Sequence, residues 1–294
     1  MSRAAFRTTS AGGLRHDSLP MRLYQKAKRL GTWDPQDLDF TRDRTDWLTL
    51  NDDQQKAILQ ITSLFQAGEE SVTVDLLPLI MVIAAEGRLE EELFLTTFLW
   101  EEGKHVELFR RFLDEVCEAR GDLHGFHTPS YRKLFYEELP AAMQRLRDDA
   151  SPEAQVRAAI TYNMIVEGVL AETGYHSYFL ALERNDLMPG LREGIGLVKR
   201  DESRHIAFGV HLLSRLIADD PGLWEVAEQQ MAELLGPALA FIDESFEDYG
   251  PVSPLGVPLE ELATFAQSQF QKRLDRIRRG AAEEELDPVA AETS

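Results

Sequence analysis

Residues 98–109 read FLWEEGKHVELF and place Glu102 and His105, three residues apart, among the apolar residues Phe98, Leu99, Trp100, Val106 and Phe109. In an α-helix, positions 95, 98, 99, 102, 105, 106 and 109 share one face. That face would consist of Leu, Phe, Leu, Glu, His, Val and Phe. Burial of an unpaired carboxylate is costly. Any fold that buries this face must therefore give Glu102 a positively charged partner.

A second Glu-x-x-His pair, Glu202 and His205, lies in a similar setting. Composition alone predicts roughly one acid-x-x-His pair in a chain like this, so the number of pairs carries little weight. The surroundings are more informative, because helical spacing places both pairs on apolar faces. The residues that share the second face are Ile195, Val198, Ile206 and Gly209.

Each pair is preceded by a helical segment that carries one glutamate on its apolar face. Glu69 lies 33 residues before Glu102, and Glu167 lies 35 residues before Glu202. The apolar residues in phase with these glutamates are Ile58, Phe65, Val72 and Leu76 for the first, and Ile160, Met164, Leu170 and Ala171 for the second. The spacing predicts two similar helix hairpins, each bringing one Glu and one Glu-x-x-His pair to a common centre.

Four carboxylates buried together would repel one another and be driven to neutralise. Two divalent cations cancel that charge, and a Glu and a His at i and i+3 supply two ligands from one helical turn. Oxygen-rich sites with one imidazole per metal favour iron and manganese over zinc and copper. This is the ligand pattern of known di-iron and di-manganese helical bundles. The predicted ligands are Glu69, Glu102, His105, Glu167, Glu202 and His205.

A single histidine on an apolar helix face is more often a core histidine with a hydrogen-bond partner than a metal ligand. Six residues in the required order on four long helices favour the metal site here. The other acidic and histidine candidates are assigned to solvated faces, to supporting positions or to loops. They are Glu90, Glu91, Glu92, Glu101, Glu172, His16, His124 and His127, while His176 and His211 have no partner pattern.

Helical periodicity covers most of the chain and strand alternation is almost absent, so we expect an all-α fold. Helical segments are predicted at 51–86, with a kink or break at Pro78, and at 88–119, 130–148, 152–183, 187–218, 222–247 and 258–280. We expect a flexible N-terminal arm over 1–20, a single helical domain over 21–280, and a disordered acidic tail over 281–294.

Charge and composition exclude several classes of function. The net charge of −20 over 294 residues argues against a nucleic-acid partner and against electrostatic binding to a membrane surface. One cysteine, Cys117, excludes a disulfide framework and a cysteine-based zinc site. The most apolar stretch, 74–87, is too short to span a bilayer, and residues 1–20 lack the apolar region of a secretory signal. We therefore expect a cytoplasmic protein.

From about Lys28 to Leu216 the sequence resembles the small subunit of class I ribonucleotide reductase. The resemblance covers GTWDPQDLDFTRDRTDWLTL, the Glu69 segment, EEGKH, the Glu167 segment and RDESRH. It implies a ferritin-like four-helix-bundle core with additional helices. It also implies that Asp201 accepts a hydrogen bond from the far nitrogen of His105, with Trp33 behind that carboxylate.

One position departs from the radical-generating subunits of that family. Those subunits usually store a radical on a tyrosine one helical turn after the first histidine, where this chain has Phe109. The segment after Gly280 also has no aromatic residue to relay an electron to a partner subunit. A reductase subunit of the type that has Phe at this position and a mixed manganese–iron centre is therefore the second hypothesis.

The stretches GEESVTVD and TYNMIVEG more closely resemble the ligand-binding oxidases that are related to this reductase subunit. In those oxidases an ether bond joins a valine, three residues after the first carboxylate ligand, to a tyrosine, five residues before the third. Val72 and Tyr162 lie at these offsets from Glu69 and Glu167. The resemblance implies that an O₂-dependent oxidation bonds the Tyr162 oxygen to the Val72 Cβ.

The same resemblance implies one manganese at Glu69, Glu102 and His105 and one iron at Glu167, Glu202 and His205, with Glu102 bridging the two. It further implies a long-chain fatty acid whose carboxylate lies on the metals, a homodimer, and a hydrogen bond from Tyr175 near the site. The six ligands themselves accept either Mn/Fe or Fe/Fe.

Three functions stay open at this point. The first is an O₂-dependent oxidase that acts on a lipid-like molecule, and the second is a reductase small subunit that needs a large partner. The third is a metal-storage bundle, which the Trp-containing segment and the extra helices disfavour. Val72 could equally be ordinary core, and Tyr162 a buried hydrogen-bonding tyrosine.

Overall fold

Helices make up most of residues 6–282, the part of the chain that this computed structural model describes. The α-helices are α1 Leu19–Leu30, α2 Thr41–Thr49, α3 Asp52–Asp75, α4 Leu77–Ala85, α5 Leu89–Glu115, α6 Pro129–Arg132, α7 Leu139–Arg145, α8 Pro152–Ala159, α9 Glu172–Arg184, α10 Pro189–Asp219, α11 Leu223–Glu244 and α12 Leu259–Ala282. Two π-helical segments, Lys133–Glu138 and Ile160–Ala171, continue α6 and α8 without a break. Within these residues the only β-type pairing is an isolated bridge between Val252 and Pro258. The expected all-α fold is confirmed.

Helix α3 begins and ends for identifiable reasons. Asn51 and Gln54 form a capping box, in which each side chain accepts a hydrogen bond from the other residue's backbone N–H, at 3.0 and 3.1 Å. The helix ends at Asp75, and Pro78 occupies the first turn of α4, where its missing N–H costs nothing. The break predicted at Pro78 is therefore present, and core residues such as Leu76 and Leu79 lie on both sides of it.

The core lies between α3, α5, α10 and the segment Ile160–Ala171. Helix α5 packs against α3 and contacts α10, which in turn packs along Ile160–Ala171. Four phenylalanines of α5 are fully buried: Phe94, Phe98, Phe109 and Phe112. The remaining helices cover this group, with α1 on α5, α12 on α10, and α11 on Ile160–Ala171. This arrangement is a four-helix core with additional helices.

Most helix boundaries lie within a few residues of the sequence-based expectations. Helices α1 and α2 were not anticipated, and neither were the π-helical segments. The guanidinium of Arg7 donates two hydrogen bonds of 2.9 Å to Glu90, and α1 begins at Leu19 within the expected arm. The expected acidic tail lies outside the described residues apart from 281–282. Among the described helices, none combines the length and the apolar character needed to cross a membrane.

Candidate metal centre

The six predicted ligands converge between the four core helices, and all six are buried. Their ligand atoms form two overlapping groups in which the atoms lie within 4.8 Å of one another. The first group is Glu69, Glu102, His105 and Glu202, and the second is Glu102, Glu167, Glu202 and His205. Helix α3 supplies Glu69, α5 supplies the first Glu-x-x-His pair, Ile160–Ala171 supplies Glu167, and α10 supplies the second pair.

Glu202 belongs to both groups, as Glu102 does. One Glu202 oxygen lies 3.3 Å from the Nδ1 of His105 and the other lies 3.5 Å from the Nδ1 of His205. The sequence suggested a bridging position for Glu102 alone. The structure places both carboxylates between the two histidines.

Several buried polar atoms in this centre have no hydrogen-bond partner among the described residues. They are the Nδ1 of His105 and His205, the Nε2 of His105, Glu102 Oε2, Glu167 Oε1 and Glu202 Oε2. Buried polar atoms without partners are costly, so such a cluster needs a ligand of its own. Oxygen-rich donors with one inward-facing imidazole in each group fit a pair of cations of the iron and manganese type.

The electrostatics of the centre also favour cations. Burial raises the pKa of Glu69 to about 8 and raises that of Glu167 well above its usual value. Burial opposes ionisation of Glu102 as well, but the nearby imidazoles of His105 and His205, at 3.5 and 3.2 Å, lower its pKa to about 2. The pKa of each histidine lies well above its usual value, because the surrounding carboxylates outweigh the effect of burial. The carboxylates and imidazoles therefore share protons, which bound metal ions would displace.

A buried carboxylate lies behind each histidine. Asp201 Oδ2 is 3.5 Å from His105 Nε2 and accepts a hydrogen bond of 2.8 Å from Trp33 Nε1. Glu101 Oε2 is 2.9 Å from His205 Nε2. Asp201 lies behind His105 and Trp33 behind Asp201, but the hydrogen bond that the resemblance implied from His105 Nε2 to Asp201 is not made in the structure. Glu101 was not singled out as a partner of His205.

A signal for Glu101 is present in the sequence. Each Glu-x-x-His pair is preceded by a further acid, which gives EEGKH and DESRH. In the structure each preceding acid lies beside the histidine of the other helix. The acid before Glu102 supports His205, and the acid before Glu202 supports His105. The repeated acid-Glu-x-x-His motif therefore supplies three groups to the centre from each of two helices.

The π-helical geometry of Ile160–Ala171 brings Tyr162 and Glu167 to the same side. In an α-helix, residues five apart are rotated by about 140° from each other, at about 100° per residue. In a π-helix the i→i+5 hydrogen bond places residue i+5 roughly one turn above residue i. The Tyr162 hydroxyl oxygen is fully buried, 3.4 Å from Glu102 Oε1 and 3.4 Å from the carbonyl oxygen of Val72. The π-helical segment therefore points the phenol at the carboxylates and at Val72.

Two other predicted positions lie on one aromatic stack beside the centre. Phe109 is fully buried and stacks on Phe65, with ring centroids 5.1 Å apart. Tyr175 stacks on Phe65 at 5.0 Å, and its buried hydroxyl has no hydrogen-bond partner among the described residues. The hydrogen bond expected of Tyr175 near the site is thus not made to protein atoms of the described chain.

An apolar cavity of about 160 Å³ reaches the centre along α3. Its wall runs from Ala57 to Val72 and includes three carboxylates, Glu69, Glu167 and Glu202. The twelve helical steps from Ala57 to Glu69 span about 18 Å at 1.5 Å per residue. A mostly apolar wall of this length suits the apolar chain of an elongated molecule. Other lining residues include Leu64, Phe65, Gly68, Tyr131, Phe135, Val166, Leu170, Tyr175, Phe246 and Leu255.

Comparison with known proteins identifies close relatives. Residues 20–280 match the family described as "Ribonucleotide reductase, small chain". A solved structure of an R2-like ligand-binding oxidase, a glycine-to-leucine variant with anaerobically reconstituted Mn/Fe cofactor, is 38% identical and has a TM-score of 0.90. That match covers 94% of this chain and 98% of the other.

Two tyrosine-to-phenylalanine variants of such an oxidase, both with aerobically reconstituted Mn/Fe cofactor, give similar results. One is 39% identical with a TM-score of 0.88, covering 94% of this chain and 98% of the other. The second is 38% identical with a TM-score of 0.90, covering 94% and 99%.

Proposed function

This chain belongs to the R2-like ligand-binding oxidases of the ribonucleotide reductase small-chain family, and from that membership we propose that it is an O₂-dependent oxidoreductase with one manganese and one iron ion. Glu69, Glu102 and His105 would hold the manganese, and Glu167, Glu202 and His205 would hold the iron. Glu102 and Glu202 belong to both ligand groups. When bound, such a pair of redox-active ions supplies the electrons that reduce O₂ and the oxidising power to break a C–H bond. The buried apolar side chains around the centre, such as Phe98 and Phe109, exclude water from this reaction.

The observation that carries the proposal is the position of Tyr162 against Val72. The phenol oxygen lies 3.4 Å from the Val72 backbone and 3.4 Å from Glu102. Burial raises the pKa of Tyr162 well above its usual value, so the phenol stays protonated and can donate to Glu102. Formation of an ether bond removes one hydrogen from Val72 Cβ and one from the Tyr162 oxygen. These two electrons, together with the one electron that each metal ion would supply, reduce O₂ to two water molecules, and the remaining two protons come from solvent.

Phe109 supports an oxidase over a tyrosyl-radical reductase subunit. Its ring is fully buried against Phe65 and offers no phenol to oxidise at this position. Tyr162 is the oxidisable ring whose oxygen lies within 3.4 Å of a carboxylate of the centre.

The ether bond is testable by mass. After anaerobic loading with Mn(II) and Fe(II) followed by exposure to air, the wild-type chain should lose the mass of two hydrogen atoms. Proteolysis should then yield one branched peptide that contains Val72 and Tyr162. Tandem mass spectrometry of the digest measures both effects.

Two variants serve as controls for the ether bond. Tyr162→Phe has no phenol oxygen and should show the unmodified mass. Tyr175→Phe removes a different buried hydroxyl near the site and should still form the branched peptide. An unmodified mass in wild type that holds both metals would reject the proposed oxidation.

We propose that the cavity holds a long-chain fatty acid with its carboxylate directed toward the metals. The apolar wall of about 18 Å along α3 supports a long unbranched chain, and its inner end is formed by Glu69, Glu167 and Glu202. A fatty-acid carboxylate placed against these three groups is repelled unless cations lie between them. The physiological substrate is accordingly proposed to be lipid-like.

Removal of the metals should therefore weaken the binding of a fatty acid. We expect palmitic acid to bind the metal-free protein at least about ten-fold less tightly than the metal-loaded protein, a difference of about 1.4 kcal/mol. Equilibrium dialysis with labelled palmitic acid measures the two affinities. The uncharged 1-hexadecanol is the matched control, because its affinity should depend much less on the metals. Equal affinities of palmitic acid for both forms would contradict this orientation.

We also propose a homodimer that uses an exposed apolar stripe at the junction of α3 and α4. Val74, Leu77 and Met81 follow one another at helical spacing and are 57%, 49% and 70% exposed. Met81→Asp should weaken the dimer at least about ten-fold, because burying a charge in an apolar contact is costly. Sedimentation equilibrium measures the change. Leu48→Asp, at an 80% exposed position on α2, should leave the dimer intact, and equal effects of both variants would argue against this surface.

A further inference from the structure

The two carboxylates behind the histidines are both fully buried, but they differ in how many donors they serve. Asp201 Oδ2 accepts hydrogen bonds from Trp33 Nε1 at 2.8 Å and from Lys104 Nζ at 3.0 Å. Its other oxygen accepts a bond from the Arg204 guanidinium. The His105 Nε2 is left at 3.5 Å, beyond a good hydrogen-bond length.

Glu101 serves fewer donors. Its Oε1 accepts a bond of 2.6 Å from Arg204, and its Oε2 lies 2.9 Å from His205 Nε2. One carboxylate oxygen is therefore directed at His205 with no competing donor among the described residues. Asp201 accepts hydrogen bonds from two cationic side chains and an indole, whereas Glu101 accepts one from a single cationic side chain, that of Arg204.

Lys104 is fixed in place as a competitor for Asp201. Its side chain is 7% exposed, and its ammonium also donates to the carbonyl oxygen of Gly31 at 2.6 Å. The ammonium lies 4.2 Å from the ring centroid of Trp33 and 4.5 Å from that of Trp100. Cation–π contacts with two indoles hold the charge beside Asp201.

We propose that Glu101 and Lys104 make the two metal sites unequal, Glu101 by strengthening His205 as a ligand and Lys104 by drawing Asp201 away from His105. An imidazole that donates its second N–H to a carboxylate is a stronger metal ligand. Asp201, already neutralised by Lys104 and Arg204, polarises His105 less. Both residues act through a histidine and are positioning residues.

This inference rests on the proposed function and concerns the selectivity of each metal site for manganese or iron. A given set of N and O ligands binds Fe(II) more tightly than Mn(II). When both ions are offered, the site with the stronger imidazole ligand takes the iron, and manganese is left with the other. The inequality assigns iron to the group of His205 and manganese to the group of His105.

The test measures the affinity of each site for Mn(II) alone, without O₂. Anaerobic titration of the metal-free full chain gives two dissociation constants, and anomalous peak heights in crystals at matched Mn(II) concentrations assign them to sites. Glu101→Gln keeps the shape of the side chain but removes its charge. We expect it to weaken the His205 site by about ten-fold or more and the His105 site by less than about two-fold.

Substitutions of Lys104 and Trp33, which donate hydrogen bonds to Asp201, should raise the Mn(II) affinity of the His105 site. Lys104→Met removes the competing ammonium and should tighten the His105 site by about three-fold. Trp33→Phe keeps a ring beside His105, removes the indole N–H, and should change the affinity in the same direction. This second variant decides the matter if Lys104→Met does not fold. Equal weakening of both sites by Glu101→Gln, or no tightening by either donor variant, would overturn the inference.

The outcome is independent of the oxidation. A wild-type protein that binds Mn(II) unequally but forms no ether bond in air would reject the proposed oxidase and keep this inference. A protein that forms the ether bond, but whose sites respond equally to Glu101→Gln, would reject only this inference.

Discussion

A Glu202→Ala protein should be unable to retain either metal ion. Glu202 belongs to both ligand groups, with its two oxygens 3.3 and 3.5 Å from the Nδ1 atoms of His105 and His205. Loss of a group behind a ligand typically weakens metal binding 10- to 100-fold, so we expect loss of this shared carboxylate to exceed about 100-fold at both sites. Anaerobic Mn(II) titration and metal analysis after desalting measure the loss.

Two further variants test whether the loss of both metal ions is specific to a carboxylate that belongs to both ligand groups. Glu69 belongs to the first group only, so Glu69→Ala should weaken one site and leave about one metal ion per chain. Glu183, exposed on α9, serves as the surface control, and Glu183→Ala should retain both ions. Retention of two ions by Glu202→Ala would show that the shared position is wrong.

Gly209→Ala should destabilise the fold and disturb the second ligand group together. A Cβ at this position of α10 would lie 2.3 Å from the Cβ of Asn163 and 2.7 Å from its Cγ. Both residues are buried on packed helices, so neither can move freely, and overpacking of this kind costs about 1–3 kcal/mol. Asn163 also donates a hydrogen bond of 2.9 Å to Glu167, so its displacement should weaken Mn(II) binding at the His205 site.

Urea denaturation of the metal-free protein measures the loss of stability. Gly196→Ala on the same helix is the matched control, because a Cβ there meets no atom within 4 Å. That substitution should stabilise α10 by about 0.5–1 kcal/mol, since alanine favours a helix over glycine. If the two glycine variants changed stability alike, close contact with Asn163 would not be the reason for glycine at 209.

The ligand set could be predicted from the sequence because each ligand breaks an apolar helical pattern. Glu69 and Glu167 are single acids on faces that are otherwise apolar, and the structure places both at the centre. The contact between Glu101 and His205 could not be predicted from the apolar pattern of a single helix. The two residues lie 104 positions apart on different helices, and the exchange of partners between α5 and α10 depends on how those helices cross.

Other features depend on tertiary packing in the same way. Helix α1 packs against α5, and no helical segment was predicted before residue 51. The offset of five residues between Tyr162 and Glu167 was matched by resemblance, without a reason for it. In a regular α-helix that offset would have argued against a shared site. The π-helical geometry of Ile160–Ala171 supplies the reason.

The same segment makes the chemistry of this chain sensitive to the number of residues as well as to their identity. Deleting one residue between Tyr162 and Glu167 would place the two four apart, so an ordinary α-helix could again bring them to one side. Deleting one residue elsewhere in the segment would let an ordinary helix form while turning the phenol away from the carboxylates, with every functional side chain retained. A gap of one position in this segment that leaves Tyr162 and Glu167 five apart would therefore mark a change in mechanism as clearly as the loss of a ligand.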